Sequence, residues 1–127
     1  MEGFLFFIYC ARLRPKQKEN LMALKFRGVD FIGFDALLSD DERLVRDTSR
    51  KFIEDNLIPI IEECNRASRF PRELVKPMAD LGFYGASLKG YGCAGMSNVE
   101  YGLVMQELER GDSGVRSFVS VQSALVM

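Results

Sequence analysis

The chain has 127 residues, 17 basic and 18 acidic side chains, and a net charge of −1. That length holds one domain with a small core, and near-neutral charge gives no reason to expect a nucleic-acid or anionic-membrane partner. Three cysteines at unpaired spacing (Cys10, Cys64, Cys93) and the absence of histidine exclude a Ser-His or Cys-His nucleophile and leave no ligand cluster for a metal. The thiols read as reduced bystanders, and any catalysis must rest on carboxylates, a cofactor or groups from elsewhere.

Residues 3–11 (GFLFFIYCA) form an apolar run followed by Arg12, Arg14, Lys16 and Lys18. A membrane-spanning helix needs about 20 apolar residues, and a secretory signal places its positive charges before the apolar run, not after it. Residues 1–21 are therefore read as a spurious or unstructured extension with Met22 as the true start; a membrane-touching or targeting segment is the alternative. Residues 22–38 are read as an amino-terminal arm.

From Ser39 the pattern is helical. Ser39 with Glu42 predicts a capping box, and Leu44, Val45, Thr48, Phe52, Ile53, Leu57, Ile60, Ile61 and Cys64 recur at helical spacing. Pro59 falls inside this stripe and predicts a kink in one long helix, because it cannot bond the carbonyl of Asp55. Pro71 predicts the first position of a second helix, with Leu74, Val75, Met78 and Leu81 inward and Gly82 as the stop. Pro77, inside that helix, has no rationale in the sequence. Ser97 and Glu100 predict a second capping box opening a third helix through Leu108. After a break at 111–114, a fourth helix starts near Val115 and runs to Met127 with no stop signal, so the chain reads as cut within it. Only short runs near Phe31 and Phe83 resemble strands, and the predicted class is all-α.

Gly90, Gly92 and Gly95 satisfy G-x-G-x-x-G. A dinucleotide site needs a strand before the motif and a βαβ unit after it, and neither is present. The glycines read as an irregular connector between packed helices.

KGYGCAG at 89–95, EYGL at 100–103, QELER at 106–110, DSG at 112–114, RS at 116–117 and SVQS at 120–123 occur in order. Together with DERLVRD at 41–47, FP at 70–71 and LG at 81–82, they resemble the amino-terminal helical domain of acyl-CoA dehydrogenases, in particular the glutaryl-CoA dehydrogenase branch. The resemblance covers the chain from about Phe26 and implies an incomplete amino-terminal α-helical domain at 39–127. It implies a parent oxidoreductase that uses FAD, oxidises an acyl-CoA and decarboxylates glutaryl-CoA to crotonyl-CoA. A carboxylate base outside this chain would remove the α-proton, and an electron-transferring flavoprotein would reoxidise the flavin of a homotetramer. A cytoplasmic location is implied in a bacterium, and the mitochondrial matrix in a eukaryote. The flavin contacts would lie mostly in absent domains, so this chain alone is expected to be inactive and to bind no FAD.

The resemblance also implies that Arg116 and Ser120 hold the distal carboxylate of the substrate. Their i, i+4 spacing places them on one helix face, and a helix amino terminus favours an anion. A cation there needs a partner, and Asp112 or Glu109 supplies one in a purely structural reading. Ser123 continues the stripe, either as a small cavity wall or as a close-packing contact. Glu107, Glu109, Arg110 and Asp112 read as a solvated, self-compensating helix end. Apart from an enzyme piece, the sequence admits a free-standing helical interaction module or a non-functional truncation product.

Overall fold

A serine three residues ahead of a glutamate opens the first helix, as its spacing predicts. In the computed structural model, which describes residues 31–127, Ser39 Oγ accepts the Glu42 amide at 3.3 Å while Glu42 Oε2 accepts the Ser39 amide at 2.8 Å. The expectations placed on residues 1–21, on Cys10 and on the arm up to residue 30 lie outside the described residues. Asp35–Met127 forms one compact unit, and among the described residues there is no strand. The runs near Phe31 and Phe83 are a bend and a turn, and the class is all-α.

Helix α1 (Asp40–Phe52) passes through a π-helical turn at Ile53–Leu57 into α2 (Ile58–Arg66). Where a kink was expected at Pro59, the structure has this π-helical turn. Pro59 stands at the start of α2 and has no N–H for the carbonyl four residues back; the wider turn ahead of it has the Ile58 amide on the Ile53 carbonyl, five residues back. The helical path continues with one local expansion.

The inward face is Ile53, Leu57 and Cys64, with Val45, Phe52, Ile60 and Ile61 packed beside them. Two positions of the expected stripe face outward: Leu44 is 65% exposed, and Thr48 is exposed. At that end the helix buries Arg46 and Ser49 instead. The Arg46 guanidinium pairs with Asp35 and Asp47, and Ser49 Oγ donates to the Val45 carbonyl at 2.8 Å, so the buried polar groups are satisfied.

The end of α2 is a Schellman turn without glycine. The Arg69 amide reaches the Cys64 carbonyl (3.0 Å), the Ser68 amide reaches Asn65 (3.1 Å), and Ser68 adopts φ 51°. Pro71 precedes a 3-10 turn, Arg72–Leu74, and α3 follows at Val75–Asp80. The predicted helix thus starts later than Pro71. This later start explains Pro77: it is the third residue of α3, where a backbone N–H has no intrahelical acceptor to lose. Gly82 ends α3 as expected, with φ +73° and the Phe83 amide on the Met78 carbonyl at 3.1 Å.

An irregular connector leads to α4 (Asn98–Gly111), opened by the second capping box: Ser97 Oγ accepts the Glu100 amide at 3.2 Å, and Glu100 Oε2 accepts the Ser97 amide at 2.6 Å. The G-x-G-x-x-G run is part of this connector, with the Cys93 amide turned onto the Gly90 carbonyl at 2.9 Å. Helix α5 (Ser113–Val121) starts two residues before Val115 and ends in a second π-helical turn, Gln122–Val126.

The core joins all of these: Ile53, Leu57, Leu74, Met78, Phe83, Val104, Leu108, Val115 and Val119 form one buried cluster. Phe52 meets Phe83 edge-on, ring centroids 5.9 Å apart. Full burial of each large apolar side chain contributes roughly 1.5–3 kcal/mol. Because Val115 and Val119 are committed to this core, the rest of α5 has a fixed rotation.

Candidate functional site

The α4–α5 junction sets the site. Asp112 is extended (φ −166°), and its Oδ1 accepts the Val115 amide at 2.8 Å while its carbonyl accepts the Arg116 amide at 3.0 Å. Its carboxylate is therefore spent as the α5 cap. Of the two partners open to Arg116 in the sequence, the structure supplies Glu109: Arg116 Nε lies 2.7 Å from Glu109 Oε2. The other oxygen of Glu109 accepts from Ser113 Oγ at 2.7 Å. The hydrogen bond from Arg116, and then that from Ser113, hold the Glu109 carboxyl below the usual carboxylate range.

The Arg116 side chain is about one-third exposed (36%). Among the described residues, its two terminal nitrogens take no hydrogen bond. Ser120 sits one turn further along the same flank and is half-buried. Its hydroxyl donates to the Ser117 carbonyl at 3.0 Å. Ser123 is used for packing: its Oγ donates to the Phe83 carbonyl at 3.2 Å and accepts the Gly85 amide at 3.2 Å, tying the end of α5 to the connector.

The charged cluster at the end of α4 is not uniformly solvated, as composition suggested. Glu107 is 1% exposed. Its Oε1 accepts from Arg50 Nη2 at 2.7 Å and Nε at 3.2 Å, and its Oε2 accepts from Arg110 Nε at 2.8 Å. A signal was present in the spacing, since residue 107 falls on the helix face defined by Leu103, Val104 and Leu108.

Tyr84 was missed altogether. Its ring meets Phe118 edge-on at 6.0 Å, its buried hydroxyl has no hydrogen-bond partner among the described residues, and burial raises its pKa.

A cavity of about 260 Å³ lies beside Cys64, Arg69, Phe70 and Asp112, and its lining does not include Arg116 or Ser120. Among the described residues no strand flanks the glycine-rich connector, so its G-x-G-x-x-G run is not the turn of a βαβ dinucleotide unit. In the helix that follows the connector, the capping box takes the Ser97 and Glu100 amides. Among the described residues no cluster of metal-ligating side chains occurs, and no helix is long and apolar enough to cross a membrane.

A family profile for "Acyl-CoA dehydrogenase, N-terminal domain" matches residues 39–127. A 3-(aryl)acrylate reductase from Clostridium sporogenes is 34% identical over 89 residues, which is 69% of this chain and 24% of that protein. A mitochondrial short-chain specific acyl-CoA dehydrogenase from Bos taurus is 30% identical over 91 residues, covering 71% of this chain and 22% of the relative. Among solved structures, a glutaryl-CoA dehydrogenase from Mycobacterium smegmatis in complex with FADH2 superposes with TM-score 0.72 at 48% identity, covering 74% of this chain and 24% of that one. A second structure of glutaryl-CoA dehydrogenase from that organism gives TM-score 0.72 at 50% identity, covering 76% and 25%. The chain thus spans about a quarter of the length of the relatives it matches. It belongs to the acyl-CoA dehydrogenase family, of which it carries the amino-terminal helical domain.

Proposed function

We propose that this chain forms one wall of the acyl-thioester pocket in a longer, flavin-dependent acyl-CoA dehydrogenase whose substrate ends in a carboxylate, as glutaryl-CoA does. The observation that carries this reading is the state of Arg116: its Nε is committed to Glu109 while its terminal edge is open, in the first turns of α5. A guanidinium edge pairs two-handed with a carboxylate. Glu109 already offsets the charge of Arg116, and Asp112 already caps α5, so the substrate carboxylate would be held by the directed N–H donors of Arg116 rather than by net charge. Ser120 joins by turning its hydroxyl from the Ser117 carbonyl to the ligand. Similarity at 48–50% identity to glutaryl-CoA dehydrogenases supports glutaryl-CoA over other short diacid thioesters.

In the longer protein, bound FAD would supply the hydride acceptor. The contribution of this chain is to bind and orient the far end of the acyl group, while the base that removes the α-proton comes from elsewhere in the polypeptide. Decarboxylation to crotonyl-CoA, reoxidation by an electron-transferring flavoprotein and assembly as a homotetramer belong to the same proposal. So does a location in the bacterial cytoplasm or the mitochondrial matrix.

The test is turnover by the full-length polypeptide that contains this chain, with glutaryl-CoA and butyryl-CoA compared as kcat/KM. The expected result is a clear preference for glutaryl-CoA. Equal or better use of butyryl-CoA ends the carboxylate reading.

A further inference from the structure

Helix α5 and the π-helical turn that ends it carry a single charged side chain, Arg116, across residues 113–127. Helix α1, by contrast, has Asp, Glu, Arg or Lys at eight of its 13 positions. A helix whose outer side faces water places charged groups there, as α1 does, and a helix without them is a covered one. Two apolar stripes run along α5 where a surface helix has one. Val115 and Val119 face the core. Phe118, Val121 and Leu125 recur at three- and four-residue steps on another side, and they are 38%, 45% and 80% exposed. Arg116 and Ser120 stand on the flank away from that ridge. Its first residue is fixed in place: Phe118 packs against Phe70 and Tyr84, with ring centroids 4.8 and 6.0 Å away. At its far end Met127 lies beside Leu88 of the connector, since a Cβ added to Gly85 would stand 2.7 Å from Met127 Sδ and 3.3 Å from Leu88 Cδ1. Single exposed apolar residues are ordinary, but a contiguous set marks an interface.

We infer that the Phe118–Val121–Leu125 ridge is the seat of an apolar face from the remaining part of the same polypeptide, which makes α5 an interior helix of the longer protein. The inference rests on the reading of this chain as a piece of a longer dehydrogenase. The chain covers 24% of relatives it matches, so most of such a polypeptide is left to supply the cover. A segment of the same polypeptide acts at an effective concentration of about millimolar, which a separate second copy does not reach. The occupant is apolar because the ridge offers it no charge to pair. Held by the core through Val115 and Val119 and by the cover through the ridge, α5 presents Arg116 and Ser120 from a fixed element.

Hydroxyl-radical footprinting of this chain alone and of the full-length polypeptide tests the seat, and it reads no substrate preference, so its outcome is separate from that of the glutaryl-CoA comparison. Leu125 should label about five-fold more slowly or less in the full-length protein, because a covered side chain is withdrawn from water. Leu44, 65% exposed on the charged outer face of α1, should label alike in both. A photo-reactive side chain at the same position (Leu125→p-benzoylphenylalanine) in the full-length protein should cross-link within one polypeptide and run at monomer mass under denaturing conditions. Equal labelling of Leu125 in the two proteins would show that the ridge faces water. A cross-linked product of doubled mass would assign the ridge to a second copy. Either result overturns the inference.

Discussion

Glu109 reaches back across the Asp112 break to Arg116, Oε2 to Nε 2.7 Å, and so joins the last turn of α4 to the first turns of α5. The pair fixes which edge of the guanidinium is available, and the choice has consequences for specificity. Replacing Arg116 with Ala in the full-length protein removes the whole fork. A charge-assisted hydrogen bond contributes roughly 1.5–3 kcal/mol, so kcat/KM for glutaryl-CoA should fall ten-fold or more. Butyryl-CoA offers no carboxylate to Arg116 and should be used nearly as before. Equal losses on the two thioesters would assign Arg116 to packing.

The same pair predicts an acid response. The folded chain holds the Glu109 carboxyl below its ordinary pKa, chiefly through Arg116 and then Ser113. A depressed carboxylate favours the fold above its unfolded value of about 4.3, and the contribution is lost as pH falls through the lower folded value. A titration of the side-chain carboxyl carbons by NMR should place Glu109 below an unperturbed glutamate, and Arg116→Ala should move it back up. An unchanged Glu109 midpoint in that variant would mean the ion pair does not persist in solution.

Glycines within one helix should respond oppositely to alanine. Gly102 lies exposed in α4 with nothing within 4 Å of an added Cβ, so Gly102→Ala should stabilise by roughly 0.5–1 kcal/mol. Gly111→Ala drives a methyl into Ile53 and Leu57, both 0% exposed, and overpacking of about 1–3 kcal/mol exceeds the gain in helix propensity. Urea unfolding of the two variants measures both signs at once. A stabilised Gly111→Ala would show that the core yields at that point.

Ser68 carries a left-handed backbone that glycine adopts freely. Ser68→Gly relieves that strain at the end of α2 and should raise stability by roughly 0.5–1 kcal/mol, net of the greater chain entropy of glycine when unfolded. Thermal melts of the pair check it, and a lower melting temperature would mean that the serine side chain contributes more than its backbone costs.

Local chemistry was the most legible part of the sequence. The capping boxes at Ser39 and Ser97 and the stop at Gly82 each depend on residues within a few positions, and each stands as spacing predicts. What escaped depends on groups distant in sequence. Leu44 faces outward while Arg46 is buried, because Asp35 and Asp47 satisfy the guanidinium there. Pro59 announced a disturbance but not its form, since a kink and a π-helical turn both relieve the missing N–H. The pairing of Arg116 stayed open because Asp112 and Glu109 both lie within reach along the sequence. It resolves once Asp112 is seen to be spent on the Val115 amide. Glu107 was misread because its residue type suggested water, although its position on α4 suggested the core.

The hydroxyl of Ser123 has consequences for the order in which the chain folds. It closes contacts with Gly85 and Phe83 that span 38 and 40 residues of sequence, far more than the turns within the connector span. Such a contact forms only after the intervening helices have brought their ends together, because the entropy of closing the loop must be overcome first. The Gly85 amide therefore becomes protected later than the amides held by the connector's own turns, and opens earlier in unfolding. Pulse-labelled hydrogen exchange should find that amide closing after the Cys93 amide, whose turn spans three residues, so that the glycine-rich connector reports when the end of α5 has docked onto it.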